Sequence, residues 1–128
     1  MPPLSLLVVD DQPSFRVAIR AMFEDGQGDG SQDGDPFEVV GVAVDGEQAV
    51  DLASSLRPDV VLMDVRLPGI DGPQATRLIL AHDASVSVVL MSTARRGDLA
   101  ADLLECGAVG FLAKETLEPA SLRRLLGR

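Results

Sequence analysis

Asp10, Asp11, Asp64, the pair Ser92-Thr93 and Lys114 are the residues whose types could do chemistry together. Singly they say little, since an Asp pair ahead of a helix also serves the positive end of its dipole. Gathered on one rim, they have a definite chemistry. Two carboxylates about 5 Å apart repel by roughly 3 kcal/mol at an effective dielectric near 20. Three of them therefore require counter-charge. Lys114 supplies one positive charge, and a hard divalent cation would supply two more. Donors that are all oxygen, with room for water, favour Mg²⁺ over zinc or copper, which prefer His and Cys. A Mg²⁺ held by one or two carboxylates completes its shell with phosphate oxygen and water. Asp64 is then left as a nucleophile able to form an aspartyl phosphate. Mg²⁺ and Lys114 would balance charge on the transferring phosphoryl group.

The elements that must gather these residues are legible as alternating apolar runs and amphipathic stretches. Short apolar runs predict strands at Leu4 to Val9, Phe37 to Val44, Val60 to Met63, Val86 to Met91 and Val109 to Ala113. Helical spacing predicts helices at Pro13 to Glu24, Gly46 to Leu56, Pro73 to Ala81, Leu99 to Cys106 and Leu117 to Leu126. Pro13 suits a first helical turn, and Gly107 a left-handed helix stop. Strands that read as continuous apolar runs are buried on both faces. Five β–α units in succession thus predict an α/β fold, a parallel sheet with helices on both sides. In such open sheets ligands sit beyond the carboxyl ends of the strands. Asp10-Asp11 follow the first strand, Asp64 the third, Ser92-Thr93 the fourth and Lys114 the fifth. Met63 and Met91 are placed directly beneath.

Composition sets the bounds. A chain of 128 residues, 46% apolar, can bury the core of one domain. With four Phe and no Trp or Tyr, that core must be aliphatic. The lone Cys106, the lack of an 18-residue apolar run and the lack of a basic amino end point to the cytoplasm. A net charge of −9 argues against direct nucleic-acid binding, which draws on Lys and Arg. Glu24, Asp25, Asp29, Asp33, Asp35 and Glu38 hold much of that excess; without them 14 acids face 11 bases. The 25–36 segment accordingly reads as a solvated, flexible, acidic Gly-rich loop.

The segments LVVDDQPSFR, DVVLMDVRLPGIDG, MSTA and GAVGFLAK resemble those of bacterial response-regulator receiver domains, in the right order at the right strand ends. The likeness runs from about Leu6 to Leu126, so residues 1–128 read as one receiver domain. It implies a doubly wound (βα)5 sheet with flavodoxin-like strand order 2-1-3-4-5. It implies Asp64 as phosphoacceptor, Asp11 as direct Mg²⁺ ligand, Asp10 acting largely through water, and the Arg66 backbone carbonyl as a further ligand. Thr93 would be the switch hydroxyl and Ser92 its neighbour, Lys114 would pair with a phosphoryl oxygen, and Phe111 would be the switch aromatic. The expected partner is a histidine kinase or histidine phosphotransfer protein. Phosphorylation adds about −1.5 to −2 charges and would bias the face formed by the fourth helix, fifth strand and fifth helix. The resemblance leaves room for a phosphorylation-linked homodimer.

Departures from the family pattern narrow the reading. Glu115 follows Lys114 where many members have proline, as in the subfamily bearing helix-turn-helix DNA-binding output domains. DNA would be reached only through such an output domain, which the 128 residues do not contain. Phe111 has no hydroxyl, leaving ring burial as its switch. Arg66 and Arg95 lie two residues beyond Asp64 and Thr93, positions that tune phosphoryl lifetime in the family. Asp71 reads as a turn residue, His82 as a helix-end surface residue and Cys106 as a small buried side chain. A haloacid-dehalogenase-like phosphatase would need a second Asp two residues after its nucleophile, and Arg66 stands there. No Gly-rich phosphate loop follows the first strand, which disfavours nucleotide binding. A switch that is not a turnover enzyme is the leading expectation, and a phosphorylation-independent interaction module is the alternative.

Overall fold

The structure is a computed structural model describing residues 3–25, 37–93 and 105–127. Five strands form one sheet: β1 (Leu4–Val9), β2 (Phe37–Ala43), β3 (Val60–Asp64), β4 (Ser87–Ser92) and β5 (Gly110–Ala113). All neighbours are parallel, in the order β2-β1-β3-β4-β5. Four helices are described: α1 (Pro13–Asp25), α2 (Gly46–Leu56), α3 (Gly72–His82) and a C-terminal α4 (Pro119–Leu126). The expected doubly wound sheet and its strand order are both present. None of these helices is long and apolar enough to cross a membrane.

The unbroken apolar strands follow from a sheet covered on both sides. Leu7, Val9, Val61, Met63, Val88 and Leu90 pack with Ala49 and Ala53 of α2 and Ala75 and Ile79 of α3. Their alternate neighbours Leu6, Val8, Val60, Leu62, Val89 and Met91 pack with Ile19 and Phe23 of α1 and Leu122 of α4. Each strand therefore needs apolar residues at consecutive positions. Phe23 meets Phe37 edge to face at 5.5 Å, so half of the four aromatics wedge α1 against the edge strand.

Local signals fix where the helices begin. Asp45 and Asp71 cap α2 and α3, each carboxylate accepting from a backbone N–H three residues on, Gln48 and Gln74. Asp71 thus does the turn-forming work expected of it. Gly72 matters for a different reason. A Cβ there would lie 2.4 Å from the Asp64 carbonyl oxygen, while its N–H donates to the Val65 carbonyl at 2.9 Å. The close approach of α3 to the end of β3 requires the missing side chain.

The chain after β5 differs from the helix expected over Leu117 to Leu126. A 3-10 turn spans Lys114–Thr116, Leu117 and Glu118 are extended, and α4 starts at Pro119. Proline disfavours helical backbone in the residue before it, so the helix cannot start earlier. Of the helix expected at Leu99 to Cys106, residues 99–104 lie outside the described residues, as does the 26–36 part of the acidic loop. Gly107 has φ +103°, the positive value expected of a glycine closing a helix.

Candidate functional site

The carboxyl ends of β1, β3 and β5 bring Asp10, Asp11, Asp64 and Lys114 together. Side-by-side pairing of β1 with β3 sets Val9 against Met63, so the residues after them emerge as neighbours. Asp10 is fully buried and its N–H donates to the Ala43 carbonyl at 3.1 Å. Its Oδ1 accepts from the Gln12 N–H at 2.8 Å, and its Oδ2 lies 2.6 Å from Lys114 Nζ. Asp64 ends β3, with Oδ1 accepting from the Arg66 N–H at 3.1 Å and Oδ2 from Lys114 Nζ at 3.0 Å. Asp11 is exposed beside them. One carboxylate oxygen from each of Asp10, Asp11 and Asp64 lies within 4.8 Å of the others.

The electrostatics of this cluster are those of charges short of water. Burial pushes the Asp64 carboxyl above its ordinary value, against the hydrogen bonds from Lys114 and the Arg66 N–H. Burial pulls the Lys114 ammonium down, but its contacts with Asp10 and Asp64 together prevail and hold it above the usual lysine range. Lys114 is thus a fixed cation at neutral pH, tied to two carboxylates and 7% exposed. Among the described carboxylates of this cluster, three negative charges face that one positive charge, and the donors are all oxygen. A hard divalent cation fits such a set. Met63 and Met91 are fully buried under the cluster, with Met91 paired to Asp64 across β3 and β4.

The remaining expected residues divide into those that reach the cluster and those that do not. Thr93 follows β4 and is exposed, whereas its neighbour Ser92 is 3% exposed. Phe111 on β5 is half-buried against the α2–α3 side of the core. Arg66 meets Asp64 through its backbone, and its side chain is exposed. Arg95 lies outside the described residues. His82 stands at the far end of α3, its Nε2 3.2 Å from Ser54 Oγ, and Cys106 is buried. Two residues the sequence reading left unremarked also touch the cluster. Lys114 Nζ sits 4.3 Å from the centroid of the Phe15 ring, and Arg16 Nη1 donates to the Asp10 carbonyl at 2.8 Å. Their signal was position: the first turns of a helix that starts two residues after the Asp pair.

A rim of carboxylates and one lysine at the carboxyl ends of a 2-1-3-4-5 parallel sheet defines a class, and comparison with known proteins gives its family. The chain belongs to the response regulator receiver domain family, whose profile matches residues 6–126. It is similar to the response regulator GacA of Pseudomonas aeruginosa, 38% identical over 111 residues, which cover 87% of this chain and 48% of GacA. The chain therefore spans about half the length of that relative. It is similar throughout to the solved signal receiver domain of NarL from Mycobacterium tuberculosis, with TM-score 0.82, 32% identity and 100% coverage of both chains. The CheX-CheY-BeF3-Mg²⁺ complex of Borrelia burgdorferi contains a chain 26% identical at TM-score 0.79, covering 98% of this chain and 87% of that one. Receiver domains are phosphorylation-dependent signalling switches of two-component systems, not turnover enzymes, and this chain is one of them.

Proposed function

We propose that Asp64 accepts a phosphoryl group from a phosphohistidine of a histidine kinase or histidine phosphotransfer protein. The observation that carries this is the pairing of Asp64 Oδ2 with Lys114 at 3.0 Å, beside the oxygens of Asp10 and Asp11. The carboxylate attacks phosphorus, the P–N bond breaks, and the imidazole leaves with its electron pair. Water later attacks the aspartyl phosphate, releasing inorganic phosphate and restoring the carboxylate. Lys114 already touches Asp64 and needs little movement to pair with an oxygen of the new group.

The metal that fits the cluster is Mg²⁺, which Asp11, Asp64 and the Arg66 backbone carbonyl would hold, with Asp10 contributing through water. Asp10 has its Oδ1 on the Gln12 N–H and its Oδ2 against Lys114, which suits an indirect role. When bound, Mg²⁺ supplies charge neutralisation for the three carboxylates and the phosphoryl oxygens. The CheY complex holds Mg²⁺ together with BeF3, which supports the same pairing of metal and anion here. Thr93, exposed just after the end of β4, turns its hydroxyl to the phosphoryl group, and Phe111 follows by burying its ring. Arg66 and Arg95 set the lifetime of the phosphoryl group by ordering or hindering water.

Residues 6–126 act as one receiver module in the cytoplasm. Their phosphorylation shifts the face around β5 and α4, and so controls an output, transcriptional in kind as the likeness to GacA suggests. A homodimer formed on phosphorylation and a helix-turn-helix output on the same polypeptide both accord with this reading. Reduction of the phosphorylated protein with borohydride tests the acceptor. Conversion of residue 64 to homoserine, located by peptide mass, is expected; a trapped residue elsewhere would overturn the assignment.

A further inference from the structure

The Lys114 ammonium has three close neighbours. Asp10 Oδ2 and Asp64 Oδ2 lie at 2.6 and 3.0 Å, and the centroid of the Phe15 ring lies 4.3 Å from Nζ. A cation at that distance is attracted by the negative face of the ring. The ring is itself held. Phe15 packs against the core between the sheet and α1, and the adjacent Arg16 ties the first turn of α1 to the Asp10 carbonyl. An aliphatic side chain would fill the same space without attracting the cation, and would leave the ammonium two carboxylates as its named charge partners.

We propose that Phe15 is a positioning residue for phosphoryl transfer, acting through Lys114. The inference rests on Asp64 as phosphoacceptor and adds a third, uncharged wall to its lysine. The two carboxylates pull the ammonium with unequal reach, the shorter contact being to Asp10. The ring face adds a third attraction to those of the two carboxylates, helping to keep Nζ within reach of a phosphoryl oxygen. It does so with no added negative charge, which a third acidic neighbour would impose on the incoming phosphoryl group. Aromatic character at position 15, and not bulk alone, is the property required.

The test compares wild type with Phe15→Leu and Phe15→Tyr in the intact chain. Each is incubated with Mg²⁺ and acetyl phosphate, and the rate of phosphorylation is read by intact mass. Phe15→Leu is expected to be slower by roughly three- to tenfold and Phe15→Tyr to stay within about twofold of wild type, because the tyrosine ring keeps its quadrupole. The Lys114 ε-methylene protons should be shifted upfield by the ring in wild type and Phe15→Tyr, and move downfield in Phe15→Leu. A core role alone would slow both variants in step with their loss of thermal stability and would not single out the ring. Equal rates in wild type and Phe15→Leu, or unshifted Lys114 protons in wild type, would overturn the inference while leaving Asp64 in place. Failure of wild type itself to take up phosphate would instead remove the reading on which the inference stands.

Discussion

Lys114→Met would leave Asp10 and Asp64 facing each other beside Asp11. Their oxygens lie within 4.8 Å, so two of these charges repel by about 3.5 kcal/mol at an effective dielectric of 20. Part of this is offset, because the buried ammonium and its desolvation are gone and methionine fills the space. A net loss of about 2–3 kcal/mol at pH 7 is expected, read from urea unfolding without metal. The pH dependence identifies the cause. Without the lysine the Asp64 carboxyl, already raised by burial, loses the hydrogen bond and charge that lower it and rises further; a carboxyl raised on folding stabilises the native state at low pH and loses that contribution as pH rises through its folded value. The difference between variant and wild type should therefore shrink towards pH 4.5 and widen towards pH 7. The loss of Lys114 titration does not confuse this window, since its ammonium is held above an ordinary value of 10.5. A penalty that is the same at both pH values, or absent at pH 7, would refute the electrostatic account.

Other expectations concern separate parts of the chain. Mg²⁺ should raise the midpoint of thermal unfolding, and Asp64→Asn should reduce that rise. Because burial raises the Asp64 carboxyl, protons compete with the metal from a pH above its ordinary 3.8, and the Mg²⁺-induced rise should already be fading there on acidification. Gly72→Ala places a methyl against the Asp64 carbonyl at 2.4 Å, where backbone must move; thermal stability and phosphorylation rate should fall together. Asp71→Ala removes the cap of α3 and should cost about 1 kcal/mol in urea unfolding, with phosphorylation retained. Asp83 is held below the usual carboxylate range by hydrogen bonds from the Ser85 hydroxyl and N–H, so its contribution to stability is present above pH 3.8 and fades below it; in Ser85→Ala an NMR titration should find Asp83 moved up.

The strands could be located in the sequence because both faces of the sheet are covered, which leaves every inner position apolar and makes each strand end a change of residue type. Val9 to Asp10 and Met63 to Asp64 are such changes, and they carried the site with them. Boundaries set by backbone were harder to read. The 3-10 turn at Lys114–Thr116 arises from the need to leave β5 and enter a proline-started helix, and no periodicity marks it. The slip between Leu6 and Leu7, where β1 passes from Val39 to Gly41, leaves no mark in an apolar run. Phe15 against Lys114 was hidden for another reason. The two lie at opposite ends of the sequence and meet only because α1 covers the face of the sheet on which the Lys114 ammonium emerges. Pairwise contact of that kind has no local signature, whereas charge at strand ends does.

Uptake of a phosphoryl group by Asp64 is read by intact mass after incubation with Mg²⁺ and acetyl phosphate. Wild type should gain the mass of one phosphoryl group, lose it over time as the acyl phosphate hydrolyses, and show no gain as Asp64→Asn. Absence of any gain in folded wild type, or a gain that persists in Asp64→Asn, would show that Asp64 is not the acceptor.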